Sequence, residues 1–157
     1  MSKTAIADHL LSYKEERGKP SPSRNHSVVQ ANLGCELKKD ARFRIFGELD
    51  LDLRGHHLTP DLCVYPAGPI DFSRDILRRT DPPLLVVEIL TLGQLIEEVM
   101  DKISHYLESG VKSCWMVIPP TQSITIFSAD GAQKTFTEGT VTDPAIGLSA
   151  DLAAVFS

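Results

Sequence analysis

No stretch of this sequence approaches the roughly 20 apolar residues of a membrane-spanning helix. The segment Met1 to Lys19 is mixed polar and charged and lacks a signal peptide's apolar core. Both absences lead to the expectation of a cytoplasmic protein. Cysteine is scarce: Cys35, Cys63 and Cys114 are odd in number, far apart, and without zinc-ligand spacing. Each is read as a small core residue, the default for an unpaired cysteine. A Gly-rich phosphate loop and a nucleophile elbow are both missing, which argues against the chemistries they serve.

Positive charge is scarce in one half of the chain. Residues 80–157 hold 3 Lys+Arg against 10 Asp+Glu, whereas residues 1–79 hold 13 against 11. The total of −5 argues against a non-specific coat on nucleic acid. Lys38, Lys39, Arg42, Arg44, Arg54, Arg78 and Arg79 offer the makings of a basic strip. On charge alone, an ordinary solvated surface is the favoured reading.

A chain of 157 residues suits one domain, taken here as 1–157. That length buries about 68–70% of the unfolded surface. Ala5, Leu10 and Leu11 suggest a short helix over 5–16, which Gly18 to Pro22 breaks. Ser23 is a suitable N-cap for a helix over 24–38, with Val29, Leu33 and Leu37 facing the core and His26 and Gln30 beside them. Phe43 to Leu53 alternates as a strand with one wet face, on which Glu48, Asp50 and Asp52 read as solvated, a second metal near Asp61 being the lesser option. Arg54 to His57 turns, and Leu58 to Tyr65 returns antiparallel. Pro66 to Asp81 is a loop or short helix.

The run at 84–90 after Pro82-Pro83 reads as a strand buried on both faces. A helix over 94–109 follows, stopped by Gly110, and then a strand over 113–118. Strand, helix and strand make a βαβ unit, hence a parallel pair. Ser123 to Phe127 and Gln133 to Phe136 form a hairpin, and 146–156 closes the chain. The fold class is therefore α/β (α+β), a mixed central sheet with flanking helices.

Two acids stand in strand contexts. Glu88 is the one ionisable residue of the buried run, where a carboxylate is costly unless something positive meets it. Asp61 follows Pro60 in the strand before; ending a turn is its alternative reading. On neighbouring strands they can supply carboxylates for Mg²⁺, which takes one or two and keeps several waters. The main-chain carbonyl of Ile89 can add a third oxygen. Lys102 lies at the border of the apolar stripe of its helix, within reach of the sheet's end. Its alternative is an exposed pair with Glu98, worth a few tenths of a kcal/mol. His56 and His57 are adjacent, so on a strand they face opposite ways and make a poor metal pair. His105 reads as a helix-surface residue and Trp115 as core.

Several segments, in this order, resemble the Uma family of restriction-endonuclease-like proteins, within the PD-(D/E)XK nuclease superfamily. They are Pro22-Ser23-Arg24-Asn25-His26, Thr59-Pro60-Asp61-Leu62-Cys63-Val64 and Pro83-Leu84-Leu85-Val86-Val87-Glu88-Ile89-Leu90, then Asp101 to Val111, Cys114 to Pro119 and Gly147 to Leu152. The resemblance implies a restriction-endonuclease-like fold with Asp61 and Glu88 as the two acids. The superfamily's lysine two residues after the second acid is replaced here by Leu90. Lys102, fourteen positions after Glu88, matches a lysine displaced to the following helix, and the Lys102 to Tyr106 spacing also fits. His26 matches an accessory histidine at the start of the first helix. The family's Ser-Pro-Ser-Thr-like loop reads Thr91-Leu92-Gly93-Gln94 here, which is less polar.

The resemblance implies a Mg²⁺- or Mn²⁺-dependent endonuclease that hydrolyses DNA phosphodiester bonds through Asp61, Glu88 and Lys102. The net charge and the altered loop favour instead a nuclease-fold binding or assembly module without cleavage. Because cutting two strands takes two sites, a homodimer is expected.

Overall fold

The computed structural model describes residues 21–157; the helix expected over 5–16 lies outside them. Helix α1 spans Arg24–Lys38. Ser23 caps it: extended itself, it accepts the His26 amide on its hydroxyl. The strands that follow are β1 (Phe43–Gly47), β2 (Leu51–Leu53), β3 (His56–Leu58), β4 (Leu62–Pro66) and β5 (Leu85–Ile89). Helix α2 (Ile96–Glu108) leads to β6 (Ser113–Ile118), then β7 (Ser123–Ser128), β8 (Gln133–Phe136), β9 (Thr140–Thr142), β10 (Ser149–Asp151) and a short helix α3 (Leu152–Val155).

One six-stranded sheet, in the order β1-β4-β5-β6-β7-β8, carries the molecule. β5 and β6 pair in parallel, Leu85 with Ser113 through Ile89 with Val117, and α2 crosses between them. Every other pairing in this sheet is antiparallel. The sheet is thus mixed and helix-flanked, in keeping with the fold class read from the sequence.

Alternation along the central strands assigns each side chain to a layer. Leu62, Val64, Leu85, Val87 and Ile89 pack with Val29, Leu33 and Leu37 of α1. Cys63, Tyr65 and Val86 pack on the other face with Val99, Ile103 and Tyr106 of α2. Asp61 and Glu88 have the parity of Cys63 and Val86, so both belong to the α2 face. That single consequence of period-two geometry brings them together.

Two strands are shorter than their sequence patterns. The stretch 43–53 breaks after Gly47, where Glu48 takes a left-handed backbone at φ 51° and its amide bonds to the Asp61 carbonyl at 3.1 Å. The stretch 58–65 breaks at Pro60, which has no N–H to give to a ladder. β2 and β3 leave the main sheet as a separate hairpin. Its two-residue turn, Arg54-Gly55, has positive φ at both positions, the combination a tight hairpin of this twist needs. Asp50 and Asp52 are thereby separated from Glu48, and the shared wet face does not form.

The basic strip is largely spoken for by acids: Arg42 pairs with Asp40, Arg78 with Asp50, Arg79 with Asp81 and Lys39 with Glu36. Residues 66–81 contain no helix, and Arg79 joins Leu51 through one parallel bridge. β9 pairs with β10, a ribbon absent from the sequence reading. Its turn is tied by Asp143, fully buried, which accepts from Trp115 Nε1 at 2.9 Å, Ser113 Oγ at 3.1 Å and the Ala145 and Ile146 amides. Cys63 and Cys114 are core residues as expected, but Cys35 is exposed on α1. Among the described residues no helix is long and apolar enough to cross a membrane.

Candidate active site

The last paired residues of β4 and β5 are Leu62 and Val87. One step further, Asp61 and Glu88 stand opposite each other, and directly opposed residues of an antiparallel pair share a face. Both are buried, at 5% and 4% exposure. They line a small cleft at the end of the sheet together with His26, Ile89 and Lys102.

Asp61 has taken over the next ladder bond. Its Oδ2 accepts the Ile89 amide at 2.7 Å, where a backbone carbonyl would ordinarily sit. A strand residue points its N–H and C=O to the same side, so the Ile89 carbonyl is turned toward this edge as well. The other oxygen, Oδ1, lies 3.0 Å from His26 Nε2. One turn along α1, the Gln30 amide donates to the Asp61 carbonyl at 3.1 Å. Helix α1 therefore grips residue 61 by side chain and main chain at once. The His26 ring is buried, and its Nδ1 has no hydrogen-bond partner among the described residues.

Glu88 is met from the other layer. Lys102 Nζ is 3.7 Å from Glu88 Oε2, and the Tyr106 hydroxyl donates to Oε1 at 2.8 Å. The Lys102 side chain is 27% exposed, as its place at the border of the apolar stripe requires. Tyr106 is fully buried; burial first, and then the Glu88 charge, push its phenol well above the usual tyrosine range. It is a donor at any ordinary pH.

The loop after β5 completes the wall. Thr91 Oγ1 donates to the Ser21 carbonyl at 3.2 Å and accepts the Ser23 amide at 3.0 Å, so the start of α1 is tied to the end of β5. Leu92 and Leu95 beyond it are exposed. His105, expected on the helix surface, stacks on His56 with ring centroids 4.2 Å apart.

The donors suit a hard cation. Two carboxylates and a main-chain carbonyl are oxygen ligands, and Mg²⁺ asks for only one or two carboxylates beside its waters. Among the described residues no three His, Cys, Asp or Glu side chains converge as a cage. Lys102 adds a positive charge within reach of any anion bound there.

Sequence reasoning named Asp61, Glu88, Ile89, Lys102 and His26, and all five line one cleft. It counted Tyr106 only as core and as a spacing match, because helical periodicity registers the ring and not the hydroxyl. It reads Glu48 as solvated, and Glu48 is exposed; the left-handed turn also sets it at the rim of the cleft. No feature of a Gly-Glu pair announces that turn.

Residues 16–154 match the family described as "Uma2: Putative restriction endonuclease". Among solved structures, the chain is similar to one described as a "putative nuclease belonging to DUF820 from Anabaena variabilis". The two are 24% identical, with a TM-score of 0.73 over 87% of this chain and 83% of that one. At that identity the likeness is one of fold. A weaker likeness, TM-score 0.45 at 14% identity, covers 84% of this chain and 12% of a chain in the "DrdV-DNA complex". No curated protein matches the chain. With the family match running from before α1 to α3 and the same fold in a solved relative, the chain belongs to the Uma2 family.

Proposed function

We propose that this protein is a Mg²⁺- or Mn²⁺-dependent endonuclease that hydrolyses DNA phosphodiester bonds. The observation that carries the reading is the meeting of Asp61, Glu88 and Lys102 from three separate elements in one cleft. The Asp61 and Glu88 carboxylates and the Ile89 carbonyl would hold the ion. Bound Mg²⁺ supplies Lewis acidity toward the phosphate and a water of lowered pKa.

The chain's own residues do the rest. The Ile89 amide and His26 fix the Asp61 carboxylate, so its orientation does not have to be found anew on binding. Lys102, anchored on α2, places its ammonium where negative charge grows on the phosphate as the P–O bond breaks. An interaction that strengthens in the transition state is the kind that accelerates a reaction.

A second reading, a nuclease-fold module without cleavage, is supported by the net charge of −5 and the exposed Leu92 and Leu95 in the segment after β5. One assay separates the two. Supercoiled and single-stranded DNA are incubated with Mg²⁺ or Mn²⁺, with Glu88→Ala beside the wild type. Metal-dependent cleavage lost in the variant supports the enzyme; binding without cleavage supports the module.

The protein is further proposed to be a cytoplasmic homodimer. Phe72 at 91% exposure and Leu77 at 81%, both on the 66–81 loop, are compatible with an interface between copies. Light scattering that gives the monomer mass at high concentration would refute it.

A further inference from the structure

Two side chains one turn apart on α2 reach the two oxygens of one carboxylate. Lys102 approaches Glu88 Oε2 at 3.7 Å, and Tyr106 donates to Oε1 at 2.8 Å. We propose that Tyr106 is the positioning residue of the metal site, holding the Glu88 carboxylate in the one orientation that serves the ion. This rests on the metal-dependent reading above.

Three features point the same way. First, the ring is held fast. Tyr106 is fully buried among Val86, Val99, Ile103 and Cys114, so its hydroxyl has one place to go. Second, packing alone does not ask for that hydroxyl. A phenylalanine fills the same space, and a buried tyrosine oxygen is costly unless it finds a partner. Its partner here is the acid at the cleft.

Third, the bond discriminates between the two oxygens. Glutamate has freely turning bonds, and at 4% exposure little solvent reaches Glu88 to average them. Pinning Oε1 from the core side leaves Oε2 on the side of the ammonium.

The arrangement also answers a problem set by the sequence. Leu90 stands where a strand-borne lysine would be. A cation delivered by a helix is useful only if the helix keeps its rotation against the sheet. Tyr106 bonds the same helix to the same glutamate and so fixes that rotation.

The experiment is a calorimetric titration with Mn²⁺ of the full chain, its Tyr106→Phe variant and, as control, Tyr65→Phe. Tyr65 is a second buried tyrosine on the same face, whose hydroxyl donates to the Asp81 carbonyl at 2.8 Å, outside the cleft. Partners that orient metal ligands are typically worth 10–100-fold in affinity. Tyr106→Phe is therefore expected to bind Mn²⁺ about 10–100-fold more weakly, with Tyr65→Phe unchanged. Equal affinity in wild type and Tyr106→Phe overturns the proposal and leaves the nuclease reading standing. A wild type that does not bind Mn²⁺ overturns both. A measurement on the unaltered protein guards against misfolding of the variant: with ¹³C-labelled tyrosine, the Tyr106 ring resonance should shift on Mg²⁺ addition while that of Tyr65 stays. A stationary Tyr106 resonance in Mg²⁺-saturated protein counts against the proposal.

Discussion

The Asp61 carboxylate receives the Ile89 amide at 2.7 Å, so a side chain stands where the sheet's own backbone would otherwise close the ladder. Structure and chemistry share one group. Asp61→Ala strands two buried donors, the Ile89 amide and His26 Nε2. A stranded donor costs about 1–3 kcal/mol. The variant should lose stability, by about 2 kcal/mol or more in urea unfolding, together with Mn²⁺ binding.

Glu88→Gln is expected to behave differently. The amide keeps an acceptor for the Tyr106 hydroxyl and removes a charge buried to 4% exposure. Its unfolding free energy should stay within about 1 kcal/mol of wild type, since hydrogen bonds to neutral groups are worth about that much. Mn²⁺ binding, read by calorimetry, should be lost. Comparing the two variants separates the structural contribution of Asp61 from that of the Glu88 charge.

Lys102→Ala removes the cation 3.7 Å from the buried Glu88 carboxylate, so some stability should be lost in urea unfolding, and turnover is compared under conditions where the variant is folded. Removing one group that stabilises transition-state charge costs about 10²–10³-fold in kcat. Single-turnover cleavage is the measurement. A loss in Mn²⁺ affinity with unchanged turnover would reassign the lysine to binding.

Acid should loosen the far side of α1. Glu36 is held below the usual glutamate range, chiefly by Lys39, with the Asp151 amide adding to it. A carboxyl lowered in the folded state contributes stability that is complete above its unfolded value of 4.5 and lost as pH falls through the lower folded value. Asp50 and Asp81 are lowered in the same sense by Arg78 and Arg79. Stability to urea should therefore fall progressively below about pH 4.5, and the fall should be shallower in Glu36→Gln.

Thiol chemistry offers a check on the two layers. Cys63 and Cys114 are buried, and burial pushes the Cys63 thiol up to about 12 and Cys114 higher still. Thiolate is the reactive form. In native protein at pH 8, only Cys35 should react promptly with a disulfide reagent, and the other two only on denaturation.

The parts of the fold legible in the sequence were those where one signal dominates. Pro82-Pro83, the apolar run to Leu90, the periodic helix and Gly110 each mark a boundary, and the parallel β5–β6 pair follows from them. The break at Glu48 was not legible, because alternation continues on both sides of it and a left-handed glutamate carries no local signature. The β9–β10 ribbon was missed because strands of three residues are too short for a period to show. Within the candidate site, the acids stood out as charges in apolar strands. Tyr106 did not, since an aromatic residue on the buried face of a helix already has a sufficient reason to be there.

Carrying the cation on α2 rather than on β5 changes which accidents the site survives. A lysine two residues past the acid would ride with its strand, whatever happened downstream. Here the ammonium rides with a helix, and a residue inserted or deleted between Lys102 and Tyr106 would turn it by about 100° from the face that Tyr106 packs against the sheet and swing it off Glu88. The loop before it is held by residue type as well: Thr91 ties the start of α1 to the end of β5, and Gly93 takes a left-handed φ of 82°.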